Sequence, residues 1–285
     1  MLRFLALGHL TWDRLAGGQA LGGAASYAAQ AAHKLGCESA VLTSAGPDFD
    51  PLRDLPGVAV FRSLAPSTTR FQNVYQDDGT RRQVLSSRAD ALDLAVLPDS
   101  WRDPDVLLLA PVAGEVGAQV ATAFGAGVVG ATAQGWLRDF APDGTASARS
   151  WRDPAGDLAG VHAVFLSEHD LPPGEIASAL LRYVPIVVVT RGWADLTVLT
   201  RDASYDVPSL PREEVDPTGA GDVFAASFLI RYSETGDLLE AAAFGACAAS
   251  CAVEGVGAST LGDRAEVERR MVLRERLIDE GEWEE

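Results

Sequence analysis

The run Asp216-Pro217-Thr218-Gly219-Ala220-Gly221-Asp222 places a carboxylate directly behind three residues with no side chain larger than a methyl group. Val223 to Ile230 follows, apolar at nearly every position, and reads as a buried helix. The first N–H groups of such a helix have no partner inside it, and the helix dipole adds partial positive charge there. A small-residue loop opening a helix therefore offers an anion-binding site. Asp222 admits two readings. It is either a helix-dipole partner or a general base that takes a proton from a substrate hydroxyl while neighbouring amides stabilise a transferring phosphoryl group.

Composition narrows the chemistry. The chain has 285 residues and a formal net charge of −17, which argues against a nucleic-acid partner or an acidic membrane surface. Lys34 is the only lysine, and it stands in His33-Lys34-Leu35-Gly36. A Walker A loop needs Gly-Lys-Ser/Thr, so a P-loop kinase is excluded. Cationic contacts to phosphate must come from arginine, a metal ion or backbone amides. Cys37, Cys247 and Cys251 suggest no disulfide framework and fit a reducing cytoplasm. Cys247 and Cys251 are four apart, as two ligands on a helix would be, but no His or third Cys lies nearby in sequence, and small buried thiols in an Ala-rich helix are the better account. The apolar start, Leu2 to Leu7, is too soon interrupted by His9 and Asp13 for a signal peptide, and no apolar run reaches membrane-spanning length.

The elements around these residues alternate between strand and helix patterns. Phe4 to Gly8 reads as a buried first strand. Thr11-Trp12-Asp13 and the glycine pairs Gly17-Gly18 and Gly22-Gly23 lead into a helix of small residues, Ala24 to Leu35, closed by Gly36. Ser39 to Thr43 completes a βαβ unit. Gly22-Gly23 is either a tight turn or a place where a ligand approaches the backbone. Between 57 and 87 the character changes: Val58 to Phe61, Thr68 to Tyr75 and Arg81 to Leu85 alternate with period two, and Asp77-Asp78-Gly79 is a hairpin signal. A β insertion in an α/β chain suggests a lid that closes over substrate and excludes water. Asn73 in it is either an acceptor contact or a strand residue bonded to its neighbours.

Regular alternation resumes with the strand Asp105 to Leu109, a helix, and the strand Ala126 to Ala131. Gln134 and Arg138 lie just past that strand, where ligands of open parallel sheets collect. Arg138 reads as a ligand contact or as a solvated loop arginine. Val161 to Leu166 ends in Ser167-Glu168-His169-Asp170, and Pro185 to Val189 ends in Thr190-Arg191-Gly192. A second Ala-rich helix spans Asp237 to Ala252, followed by the glycine loop Glu254 to Ala258.

With Asp-Pro-Thr before Gly-Ala-Gly-Asp and a buried helix after it, the chain resembles the ribokinase-like (PfkB) family of carbohydrate kinases. Thr68–Tyr75 and Gln134–Arg138 look most like its inositol-kinase-like branch. The resemblance implies ATP-dependent phosphorylation of an alcohol, with Asp222 as base and Gly219, Ala220 and Gly221 as the anion hole. It implies that Asp13, Gly22 and Gly23 bind acceptor hydroxyls, with Asn73, Gln134 and Arg138 as candidates for holding a sugar or polyol. Thr190, Arg191 and Gly192 would hold nucleotide phosphates, and Gly257 would lie on the adenine side. Where the family usually has Asn-x-x-Glu, this chain keeps the spacing with Ser167 and Asp170. Ser167 is then expected near the ATP phosphates and Asp170 on Mg²⁺ through water. Asp216 and Thr218 frame a candidate monovalent-cation site. Tyr27 stands where many relatives have Asn, which suggests a differently shaped acceptor floor.

The expected architecture is one α/β domain, residues 1–285, with a mostly parallel sheet between helices and an inserted β lid at 57–87. The expected activity is an ATP-dependent carbohydrate or polyol kinase, myo-inositol-like acceptors first, with a homodimer through the lid as the candidate assembly. A nucleoside or phosphosugar kinase, and a non-catalytic sugar-binding or regulatory descendant of a kinase, are the competing readings.

Overall fold

In the computed structural model, described here for residues 1–15, 18–75, 81–192 and 194–280, the apolar runs starting near Phe4, Val106 and Val128 lie side by side as neighbouring strands. The chain opens with β1 (Arg3–Leu7), the antiparallel pair β2 (Thr11–Leu15) and β3 (Gly18–Gly22), and α1 (Ala24–Lys34). It continues through β4 (Glu38–Ala45), the single turn α2 (Pro51–Asp54), β5 (Ala59–Leu64), and a second antiparallel pair, β6 (Thr69–Tyr75) and β7 (Arg81–Ser87). Then come β8 (Val106–Leu109), β9 (Val128–Thr132), the short pair β10 (Arg138–Phe140) and β11 (Ala146–Ala148), and the turn α3 (Pro154–Asp157). The last part holds β12 (Ala163–Ser167), β13 (Ile186–Arg191), β14 (Ala194–Leu199), β15 (Ser204–Val207), α4 (Ala220–Thr235), α5 (Leu238–Ala252) and α6 (Arg264–Glu280).

Nine strands form the main sheet in the order β15-β14-β13-β12-β9-β8-β1-β4-β5. All are parallel from β13 to β5, and β14 and β15 add an antiparallel edge. From β1 the chain first builds outward to β5, then returns to the other side of β1 at β8. That reversal opens a crevice at the C-terminal strand ends, where ligands of such sheets bind. Alternation along each strand feeds two cores. Phe4 and Ala6 pack with α1 and α4, and Leu5 and Leu7 pack with Trp101 and Trp136 on the opposite face. Every residue of α4 from Val223 to Ile230 is buried, and Phe224 and Phe228 meet Phe165 of β12 edge-on at 5.9 and 5.2 Å. Such ring pairs add about 0.5–1.5 kcal/mol each beyond area burial, so α4 and the loop that starts it are firmly seated.

Two expectations need correction. The 57–87 segment is divided between two sheets. β5 pairs in parallel with β4 at the edge of the main sheet, whereas β6 and β7 join β2 and β3 in a separate four-stranded sheet of order β3-β2-β6-β7. Thr11-Trp12-Asp13, to which the sequence assigned no element, is a strand of the small sheet, paired in parallel with β6. Second, the helix expected between β8 and β9 is a single 3₁₀ turn, Val120–Ala123, entered through Gln119 at φ 61°. Pro111, Gly114 and Gly117 lie in that connection, and proline and glycine both oppose helix propagation. The Asp77-Asp78-Gly79 hairpin signal lies outside the described residues, as does the end of the chain beyond 280.

The two sheets join through buried polar contacts. The His9 ring, fully buried, lies 2.8 Å from the Asp90 carbonyl through Nε2 and 2.9 Å from Thr69 Oγ1 through Nδ1. A carbonyl can only accept, so Nε2 carries the proton and Nδ1 accepts from the Thr69 hydroxyl. Among the described residues, no helix is long and apolar enough to cross a membrane.

Candidate active site

The C-terminal ends of the parallel strands, the face of the small sheet carrying Thr11 and Asp13, and the start of α4 enclose a cleft of about 660 Å³. α4 begins here because Gly219 caps it at φ 82°, a left-handed conformation that suits glycine. Asp216 shapes the turn before it. Its Oδ1 accepts the Thr218 N–H at 3.0 Å and its Oδ2 faces the Gly257 N–H at 3.5 Å, while the Val215 and Asp216 amides donate to Val253 O at 2.8 and 3.1 Å. The loop is thus stapled to the end of α5.

Within the loop, the Ala220 N–H donates to Pro217 O at 3.2 Å and the Asp222 N–H to Gly219 O at 3.0 Å. The N–H groups of Gly219 and Gly221 have no protein partner among the described residues, so they are the donors open to an anion. Ala220 lines the cleft, but its amide is already used.

Asp222 follows in the first turn of α4 and faces the cleft. Burial and the nearby Asp170 carboxylate push its carboxyl up to about 7, against the opposing pull of Arg138. A carboxylate held near neutrality can take up a proton under ordinary conditions, as a general base must.

On the small-sheet side, Asp13 Oδ1 receives the Thr11 hydroxyl at 2.9 Å, and the Asp13 and Thr11 side chains lie over Gly22 so closely that a Cβ there would overlap both. Gly23 opens α1 at the cleft wall, and Gln134 and Arg138 line the same cavity from beyond β9. Asn73 pairs with Gln83 across β6 and β7; its side chain lies outside the described residues. At the end of β12, Ser167 and Asp170 form one compact turn, with the Ser167 N–H donating to Asp170 Oδ2 at 2.7 Å. Thr190, Arg191 and Gly192 line the adjoining wall, and Arg191 Nη1 donates to Thr197 Oγ1 at 2.7 Å.

The expected residues therefore converge with few exceptions. Gly22, Asp216 and Gly257 do not line the cleft: Gly22 makes room for Asp13, and Gly257 belongs to the staple on Asp216. Sequence reasoning missed Thr11, Gln83, Thr132 and the apolar patch of Leu210, Ala246, Ala249 and Val253 as wall residues. It also missed Glu115, whose buried carboxylate accepts the N–H groups of His9, Val112 and Ala113 at 2.7–3.0 Å and holds the loops after β1 and β8 together. A lone Glu in a loop carries no sequence signal for such a role. Among the described residues no cluster of three His, Cys, Asp or Glu could enclose a metal ion. Asp170 by itself suits Mg²⁺, which keeps several waters and takes one or two carboxylates alongside substrate phosphates.

Comparison with known proteins agrees with this geometry. Residues 158–264, which hold β12 to the end of α5 and the anion loop, match the pfkB family carbohydrate kinase. A cytidine kinase of Thermococcus kodakarensis is 28% identical over 272 residues, covering 86% of this chain and 94% of that protein. Among solved structures, a pyrophosphate-dependent kinase in the ribokinase family, complexed with a pyrophosphate analog and myo-inositol, superposes with a TM-score of 0.75 at 21% identity, over 93% of this chain and 99% of that one. The Arabidopsis thaliana ribokinase complexed with ribose and ATP superposes with a TM-score of 0.74 at 22% identity, over 95% and 98%. Over residues 158–264 the chain is thus similar to the pfkB family carbohydrate kinase, and its fold is that of the ribokinase-family structures it superposes on.

Proposed function

We propose that the protein transfers the terminal phosphoryl group of ATP to a hydroxyl of a small, neutral, hydroxyl-rich acceptor, with a cyclic polyol such as myo-inositol ahead of other acceptors. The observation that carries this reading is the position of Asp222. Its carboxyl, pushed up to about 7, lines the same cleft as Asp13, Gln134 and Arg138 and as Gly219 and Gly221, whose N–H groups are open.

The Asp222 carboxylate takes the proton of the acceptor hydroxyl as its oxygen attacks the terminal phosphorus. The bond from that phosphorus to the bridging oxygen of ATP breaks, and ADP leaves with the electron pair. The Gly219 and Gly221 amides stabilise the charge on the transferring group, so positioning and electrostatics do most of the work. Ser167, Thr190, Arg191 and Gly192 hold the ATP phosphates. Leu210, Ala246, Ala249 and Val253 line the cleft with apolar side chains that suit a nucleotide base, which favours a nucleotide donor over bare pyrophosphate. Asp170 would help to hold a Mg²⁺ ion accompanying the ATP phosphates, and that ion would supply charge neutralisation there. Asp216 and Thr218 are the candidate residues for a monovalent cation, checked by a potassium titration of the rate.

Asp13, Gln83, Gln134 and Arg138 reach the acceptor pocket from separate elements. A site built of several fixed polar groups selects against any ligand that leaves one unpaired, at about 1–3 kcal/mol each. The small sheet acts as the lid that excludes water and as the contact for a homodimer. A nucleoside acceptor is the second reading. The Tyr27 and Phe71 rings in the pocket and the similarity to a cytidine kinase over most of the chain favour it. The deciding experiment supplies ATP and Mg²⁺ with myo-inositol, ribose, fructose 6-phosphate or cytidine and identifies products by mass. Highest kcat/KM on the inositol supports the first reading. Highest kcat/KM on cytidine moves the assignment to the second, and no product from any acceptor rejects both.

A further inference from the structure

Tyr27 lies in the first turn of α1, just after the glycine pair, and is 4% exposed. Its ring covers Gly219 so closely that a Cβ on that glycine would overlap Tyr27 Cγ, Cδ1 and Cδ2. The ring therefore occupies the space a side chain at Gly219 would need and braces the anion loop from the acceptor side. Tyr27 also lines the cleft, and its hydroxyl makes no hydrogen bond among the described residues. Burial, then the charges of Asp13, Asp216 and Asp222, push its ionisation above the usual tyrosine range. The phenol consequently stays protonated and keeps an O–H to donate. At the cleft wall and without a protein acceptor among the described residues, that O–H is open to a ligand oxygen.

We propose that Tyr27 is a specificity-determining residue of the acceptor site: its hydroxyl donates to an acceptor oxygen in the space between Asp13 and Asp222, while its ring props the anion loop at Gly219. The proposal rests on the reading of this cleft as an acceptor site. It divides the residue into two separable parts. The hydroxyl governs acceptor affinity, and the ring governs loop geometry and therefore transfer from the donor. The same contact ties acceptor binding to the loop that holds the phosphoryl group, because one side chain touches both.

Tyr27→Phe keeps the ring and removes the hydroxyl. Calorimetric binding of myo-inositol, ribose and cytidine to wild type and variant is measured first, followed by steady-state kinetics with ATP. The expected result is a rise of about 3- to 10-fold in Kd and KM for the acceptor that binds wild type best. The melting temperature and the KM for ATP stay at wild-type values. Tyr27→Ala removes the ring as well and should lower the melting temperature and kcat together, with every acceptor. A Tyr27→Phe variant with unchanged acceptor Kd overturns the proposal, as does a wild type that binds no member of the panel. If wild type binds an acceptor without phosphorylating it, the kinase reading fails separately, and the ratio of the two Kd values still decides the role of Tyr27.

Discussion

The Glu115 carboxylate accepts the main-chain N–H of His9 at 2.8 Å, joining two residues 106 positions apart at the crevice between β1 and β8. The same carboxylate holds the amides of Val112 and Ala113 at 3.0 and 2.7 Å. Three loop amides that would otherwise be buried without partners thus share one acceptor group. His9 in turn reaches Thr69 and Asp90, so the strand pairs of the small sheet take their position from this point.

Removing the carboxylate should loosen the acceptor side of the cleft. Glu115→Ala is expected to lose about 2–5 kcal/mol of stability, since several buried N–H groups lose their acceptor at once. Urea unfolding measures that loss. In the fraction that remains folded, KM for the acceptor should rise more than KM for ATP, because His9 leads into β2 and its cleft residues Thr11 and Asp13. Equal stability of variant and wild type would contradict the bracing role.

Asp222 links pH to both stability and catalysis. Burial, the Asp170 charge and the opposing Arg138 leave its carboxyl at about 7, whereas an unfolded aspartate titrates at about 3.9. Between those values the folded chain binds the extra proton, so this group's contribution to stability is present at low pH and is lost as pH rises through about 7. Asp222→Asn cannot ionise. In metal-free buffer it should melt above wild type at about pH 8 and close to it at about pH 4, while phosphoryl transfer falls roughly 10²–10⁴-fold. Thermal melts at the two pH values and a coupled ADP assay check both parts; transfer at the wild-type rate would reduce Asp222 to a helix-dipole residue.

Gly221 provides a cleaner test of the anion hole than Gly219. A Cβ at Gly221 meets no protein atom, and its backbone is not left-handed, whereas one at Gly219 would strike the Tyr27 ring. Gly221→Val should therefore fold normally and project its side chain where the transferring phosphoryl group must approach. The expected outcome is a near wild-type melting temperature with kcat lower by about 10²–10³-fold. A folded variant with unchanged kcat would remove the loop from the mechanism.

The donor is tested at the opposite end of the cleft. Ala249 belongs to the apolar surface beyond the anion loop. Ala249→Phe should fill the space of the nucleotide base and raise KM for ATP on the order of tenfold, equivalent to about 1.4 kcal/mol of binding. Wild type should use ATP in preference to pyrophosphate. Efficient transfer from pyrophosphate, unaffected by the substitution, would assign this surface to something other than the donor base.

Local chemistry was legible before the fold. The small-residue loop, the carboxylate behind it and the nearly all-apolar stretch from Val223 to Ile230 lie within fifteen consecutive residues, 216–230. Helix initiation, amide exposure and burial of an apolar helix depend on neighbours in sequence. The lack of a P-loop lysine and the parallel-core strands near Phe4, Val106, Val164 and Val187 follow from residue type alone in the same way. Partner choice between strands does not. Period-two alternation in Ala59–Leu64 and Thr69–Tyr75 marks both as strands, yet only tertiary packing sends the first to the edge of the main sheet and the second to β2. The placement of Tyr27 on Gly219, of Glu115 beneath His9, and of Gly257 against Asp216 was decided there too. Each contact joins segments from 41 to 192 residues apart and exists only once the sheet order has brought their strand ends together.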